Sequence, residues 1–241
     1  MPFLQEFFPY ILFTLLISNL VDYIPKTLNV IAISSHLIVY ISSLLYLYMD
    51  TYDGWWSKYR YSLVKQNKIK FLDIFPKVIR NNIVGILFYW FILLSISKNR
   101  GLGNHNANTY KILIDLVVLF FIFDTIFYIF HRILHHPYIY RFHKVHHSTF
   151  AEIGISIHYM DCIDYLMEVI LPYWISISMW NSCFMASLIF AVIGQLNGVI
   201  AHSGYKFPIL PNPLSHQYHH VYFNKNYGTG GIWDYLFSTN K

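Results

Sequence analysis

Residues 112–147 read ILIDLVVLFFIFDTIFYIFHRILHHPYIYRFHKVHH. Ile112 to Phe130 is a continuous apolar run broken by little more than Asp115 and Asp124. At about 20 residues per crossing it is long enough to span a bilayer as a helix. Histidines follow at once: His131 and His135, then His143, His146 and His147. On a helix, residues three and four apart share a face, so each group is expected to offer its imidazoles to one point in space. A membrane helix running directly into clustered imidazoles makes the chain a membrane protein with a metal site at the bilayer surface.

Working outward, the same pattern recurs near the end of the chain as His216, His219 and His220, with His202 between. Nine imidazoles exceed the four ligands that close a structural zinc shell, and imidazole suits zinc, copper, iron and nickel. A pair of transition metals, each with four or five imidazoles, accounts for the number. Unrelated surface histidines are the bland alternative, and two three-histidine clusters of identical spacing weigh against it.

Composition agrees. The 241 residues are 56% apolar and 20% aromatic but only 12% charged, about half the charge of a soluble domain. Besides Ile112–Phe130, apolar stretches run over Phe3–Leu20, Leu28–Met49, Asn82–Ser97 and the double-length Tyr165–Ile200, where Pro172 and Trp180-Asn181-Ser182 suit a hairpin. The expected fold is all-α, with about four to six transmembrane helices in hairpins and a histidine-rich helical cap. Phe3–Leu20 lacks a basic flank and reads as a retained anchor. The net charge of +5 comes from dispersed residues, so nucleic acid is not an expected partner. Lys58, Arg60, Lys65, Lys68, Lys70, Lys77 and Arg80 crowd one connection while the next has only Lys98, Arg100 and Lys111. The positive-inside rule makes the first connection cytoplasmic, and counting crossings brings every histidine cluster to that same face.

His131-Arg132-Ile133-Leu134-His135, His143-Lys144-Val145-His146-His147 and His216-Gln217-Tyr218-His219-His220 resemble the histidine boxes of the sterol desaturase and fatty acid hydroxylase superfamily. Asp124, Tyr128, His202-Ser203-Gly204-Tyr205, Asn226-Tyr227-Gly228 and Trp233-Asp234 match as well, so the resemblance covers about residues 110–239. It implies a non-haem di-iron oxygenase that hydroxylates or desaturates a sterol, fatty-acyl or sphingolipid substrate. Dioxygen and electrons from a cytochrome b5-type carrier would be consumed, at the endoplasmic reticulum if the chain is eukaryotic. The implied ligands of two Fe ions are His131, His135, His143, His146, His147, His202, His216, His219 and His220. One position departs from the pattern: a family histidine before Pro-x-acid is here Asp161, in Asp161-Cys162-Ile163-Asp164. His158 or Asp161 is left to take that place.

Asp124 and Asp234 are expected beside the ligands, Asp124 either orienting a histidine or pairing with Arg132, Lys111 or water. Asp164 and Glu168 open an apolar stretch and are expected at the membrane interface. His36 reads as a packing residue, His105 as solvated, and His136 as adjacent to the ligands. Residues 50–81 read as short interfacial helices carrying Trp55, Trp56, Tyr59 and Tyr61, with Pro76 as a breaker. Residues 1–110 are taken as membrane helices with a connection, and 111–241 as the catalytic region of one structural domain. A function of another class, a catalytically inactive metal-binding membrane scaffold, is the alternative.

Overall fold

The computed structural model describes residues 26–63, 70–96 and 107–241. The Phe3–Leu20 anchor and His105 lie outside them. Helices α1 (Lys26–Thr51), α2 (Phe71–Ile96), α3 (Thr109–Leu134), α5 (Cys162–Met179) and α6 (Phe184–Ala201) form the body. Between them and after them come the short α4 (Tyr140–His143), α7 (Leu214–Tyr222) and α8 (Ile232–Leu236). No strand occurs among the described residues; Arg60 and Tyr205 make an isolated bridge. The chain is thus an all-α membrane protein, with Val30–Thr51, α3, α5 and α6 each long and apolar enough to cross a bilayer.

These helices are built inside out. On α3 the apolar residues Leu113, Val117, Phe121, Ile129 and Ile133 face outward, while Asp115, Asp124 and His131 are buried. The outward positions recur at multiples of four, the spacing of one helical face. Lipid solvates that face, so the polar residues need partners inside the protein. On α1, Val30, Ile33, Leu37, Ile41 and Tyr48 form a similar exposed stripe. Its inner residues Val39, Tyr46 and Met49 pack on Val199 and Ile200 of α6. Leu119 and Phe123 of α3 meet Phe190 of α6, with Tyr173 of α5 against them.

The hairpin expected at Trp180-Asn181-Ser182 is present as the break between α5 and α6. Asp115 fastens it: the carboxylate accepts from Trp180 Nε1 at 2.7 Å and Cys183 N at 2.8 Å, and pairs with Lys111.

Residues 50–81 depart from expectation. In place of several interfacial helices, the described residues between α1 and α2 show one 3₁₀ turn, Ser57–Tyr59, and then a segment laid beside residues 203–206. Tyr61 N donates to Gly204 O at 2.8 Å and Lys206 N to Tyr59 O at 2.9 Å, while Arg60 pairs with Asp50 at 2.7 Å and donates to Ser203 O at 2.8 Å. These long-range bonds replace the local ones a helix would make. Pro76 lies inside α2 instead of ending it; the carbonyl deprived of its amide belongs to Leu72, which is exposed.

Candidate metal centre

The histidine boxes converge. His131 ends the buried face of α3 and His135 follows that helix; His143 closes α4, and His146 and His147 begin a 3₁₀ turn, His146–Thr149. His202 caps α6, and His216, His219 and His220 sit on α7. Their ring nitrogens fall into two groups: His131, His135, His143, His147 and His219, and then His146, His202, His216 and His220. His135 and His216 are half-buried and the other seven buried, which removes the surface-histidine alternative. The groups share a wall, where the His147 and His220 rings stack with centroids 4.5 Å apart.

Each three-histidine box therefore divides between the groups, and the expectation that its imidazoles meet at one point is corrected. Successive helical residues are 100° apart. On α7 that places His219 on one flank of His216 and His220 on the other, so His216 and His220 turn to the second group while His219 turns to the first. In the same way His143 and His147 go together and His146 joins the second group.

The tautomers can be assigned from the outer bonds. His131 Nδ1 lies 2.7 Å from Tyr227 O, His219 Nδ1 2.7 Å from Lys225 O, and His202 Nδ1 2.8 Å from Gly198 O. A carbonyl can only accept, so each Nδ1 carries the proton and each Nε2 turns a lone pair inward. His143 Nδ1 likewise donates to Asp164 Oδ1 at 2.9 Å. In the first group Nε2 pairs lie close at His131–His143 (3.2 Å), His143–His147 (3.0 Å), His147–His135 (3.2 Å) and His135–His219 (3.1 Å). In the second they are His146–His202 (3.3 Å), His202–His216 (3.0 Å) and His216–His220 (3.0 Å). Donors at about 2.0–2.1 Å from one ion sit about 3.0–3.4 Å from each other. Lone pairs that face each other at this spacing fit a cation between them, and the residues present fit two transition-metal ions.

Burial holds these imidazoles neutral. It pushes His135 down to about 3 and His202 and His219 to about 4. His143, His146, His147, His216 and His220 are also driven down, first by burial and then by neighbouring histidines. Neutral imidazole is the form that binds metal.

Other expected residues stand elsewhere. Asp161 caps α5, accepting from Ile163 N at 3.0 Å. His158 is buried, with Nε2 3.1 Å from Gln195 Oε1, and belongs to neither group. His136 is exposed, and His36 donates to Ala32 O at 2.8 Å within its own helix. Asp124 touches no histidine and pairs with neither Arg132 nor Lys111: its Oδ1 accepts from Thr229 N, Thr229 Oγ1 and Gly230 N at 2.7–2.9 Å. A Cβ at Gly230 would lie 3.1 Å from Asp124 Oδ2, so a side chain there would push the carboxylate back by a few tenths of an ångström. Asp234 holds the same loop, accepting from Tyr227 N at 2.8 Å and Gly228 N at 2.7 Å. Both carboxylates thus steady the strand of chain whose Tyr227 carbonyl orients His131.

Sequence reasoning placed Asp164 and Glu168 near the membrane interface and gave them no part in the site. Both are buried within the protein beside His143 of the first group and do not face out toward lipid or water. They stand four apart on α5 and so share a face. With His143 they form a third set of converging donors. The signal was available: two carboxylates inside an apolar run are costly enough to demand a function or a partner.

The fatty acid hydroxylase model matches residues 116–239, a little over half of the chain. The chain belongs to the fatty acid hydroxylase family. Among its relatives, "Fatty acid hydroxylase domain-containing protein 2" of Homo sapiens is 34% identical over 129 residues, 53% of this chain and 39% of its own length. "Fatty acid hydroxylase ahd1" of Mycosarcoma maydis is 28% identical over 202 residues, 78% of this chain and 50% of its own length. "Methylsterol monooxygenase 1" of Rattus norvegicus is 35% identical over 131 residues, 48% of this chain and 43% of its own length. The chain thus spans half or less of the length of these family members. No solved structure matches it.

Proposed function

We propose that this chain is a membrane-bound oxidoreductase that hydroxylates or desaturates a lipid at a pair of iron ions, using dioxygen and electrons from a separate carrier. The observation that carries the reading is the division of nine inward-facing imidazoles into sets of five and four. Family membership, and relatives named as a fatty acid hydroxylase and a methylsterol monooxygenase, support the lipid substrate. Residues 111–241 would carry the chemistry, with α1 and α2 packed against them.

His131, His135, His143, His147 and His219 would hold one iron and His146, His202, His216 and His220 the other. Bound iron supplies dioxygen activation and hydrogen removal from carbon, chemistry no side chain can perform. The protein's own residues position and shield. Tyr227, Lys225, Gly198 and Asp164 fix ring orientation through Nδ1. Phe223 stacks on His147 at 4.8 Å and helps close the centre from water. It does so from φ 64°, a strained conformation for a bulky residue. An apolar cavity of about 110 Å³ lies beneath, among α1, α2, α5 and α6. It is lined by Ile86, Val169, Ile170 and Ile177, with Tyr165, Tyr173 and Gln195. Such a cavity suits part of a hydrocarbon chain entering from the bilayer.

The histidine face is assigned to the cytoplasm by the charge of residues 58–80, and a cytochrome b5-type donor would dock there. Iron analysis of the purified chain tests the centre: about two irons per chain are expected for the two donor sets. Lipid analysis by mass spectrometry after expression should reveal an oxidised lipid absent from cells making His146→Ala; identical lipid profiles would overturn the reading.

A further inference from the structure

Glu168 stands in a single π-helical turn, Leu166–Ile170, inside α5. Such turns re-aim one side chain and recur at functional sites. The carboxylate is buried, and among the described residues neither lysine nor arginine pairs with it. Its Oε1 lies 3.2 Å from His131 Nε2 and has no hydrogen-bond partner. The contact is no hydrogen bond of a neutral imidazole, because the His131 proton is on Nδ1 and engaged by Tyr227 O. Oε2 lies 3.7 Å from His143 Nδ1, whose proton is given to Asp164. Thus Glu168 Oε1 faces the lone pair of His131 Nε2, which lies 3.2 Å from His143 Nε2 on its other side. A buried carboxyl needs either a proton or a positive partner: a proton on Oε1 would be given to His131 Nε2, and a bound cation would take that proton's place among these atoms.

We propose that Glu168 is a carboxylate ligand of the ion held by His131, His135, His143, His147 and His219. That centre then has six protein donors and is closed. The neighbouring centre has four and keeps its remaining positions for exogenous ligands. Closed and open coordination are the usual division between structural and reactive metal sites. The inference rests on the two-metal reading above and goes beyond it by assigning unlike roles to the two ions.

The test uses the full chain in detergent, loaded anaerobically with cobalt(II), whose visible absorption is weak when six-coordinate and stronger at lower coordination. Wild type is expected to bind two cobalt ions per chain, and azide should alter only the stronger bands. In Glu168→Gln one of the two sites should lose about tenfold or more in affinity, its absorption should strengthen, and azide should then alter both. A binding isotherm and spectrum of Glu168→Gln superimposable on wild type would overturn the proposal. Should that variant fail to fold, the wild-type spectrum decides: azide altering both ions overturns it. If wild type binds no cobalt, the two-metal reading fails instead.

Discussion

The two histidine groups differ less in composition than in support. In the first, His131, His219 and His143 each donate Nδ1–H to a carbonyl or carboxylate within 2.9 Å, and His147 makes a longer contact with His220 O at 3.5 Å. In the second, only His202 has such a brace, to Gly198 O, while the buried Nδ1 atoms of His146 and His220 have no partner. Outer bonds fix ring orientation and raise ligand basicity. One group is therefore preorganised by the protein, and the other relies more on whatever it binds. The contrast agrees with a closed ion beside a reactive one.

The strongest way to break the comparison is to remove one imidazole from each side. His219→Ala and His146→Ala should each lower iron from about two to about one per chain, and turnover should fall by about 10³-fold or more in both. Metal analysis and product quantitation read this out, and full activity in either variant would contradict the assignment. Next, Asp164→Asn should weaken metal binding at the first group by about 10–100-fold and leave the second unchanged, as followed by metal titration. Equal weakening of both would erase the distinction between them.

A smaller effect is expected farther out. Asp124→Ala leaves Thr229 N and Gly230 N without their acceptor and should cost about 1–3 kcal/mol in unfolding free energy. Denaturant unfolding in detergent measures it, and the first group should lose metal affinity more than the second, since the loop carries Tyr227. The mildest effect is on pH dependence without metal. His135 at about 3 and His202 and His219 at about 4 are depressed in the folded chain, against about 6.5 when unfolded. Protons therefore favour the unfolded chain. The contribution is complete above about 6.5 and is lost as pH falls toward 4. Thermal unfolding of the apoprotein should be flat above pH 7 and decline below about 6.5; a flat profile to pH 4 would mean that these imidazoles are not buried neutral.

Much of this was legible in the sequence. Apolar runs located α3 and the α5–α6 hairpin, because a helix in lipid must be apolar over its whole length. Nine histidines in boxes gave the number of donors, and the five-and-four division was within the expected range. Which histidine joins which group was not legible, because a 100° step on α7 and a change of helix type between His143 and His146 decide it. Asp164 and Glu168 were read as interfacial because charge is tolerated there, whereas α5 turns them inward. Asp124 was judged from its position two turns before His131, but its partner, the loop at Thr229–Gly230, is over a hundred residues away in sequence. Residues 57–61 were assigned by composition, and their bonds to residues 203–206 are of the same long-range kind.

Helix α3 is fastened at both ends by polar groups: Asp115 to Trp180 and Cys183, and His131 to the Tyr227 carbonyl. Sixteen residues separate them, about 24 Å at 1.5 Å per residue. A rod pinned in this way neither slides nor stretches. In a thicker or thinner bilayer the surrounding lipid must deform to match it, so the height of the imidazoles above the hairpin tip stays constant whatever membrane the chain inhabits.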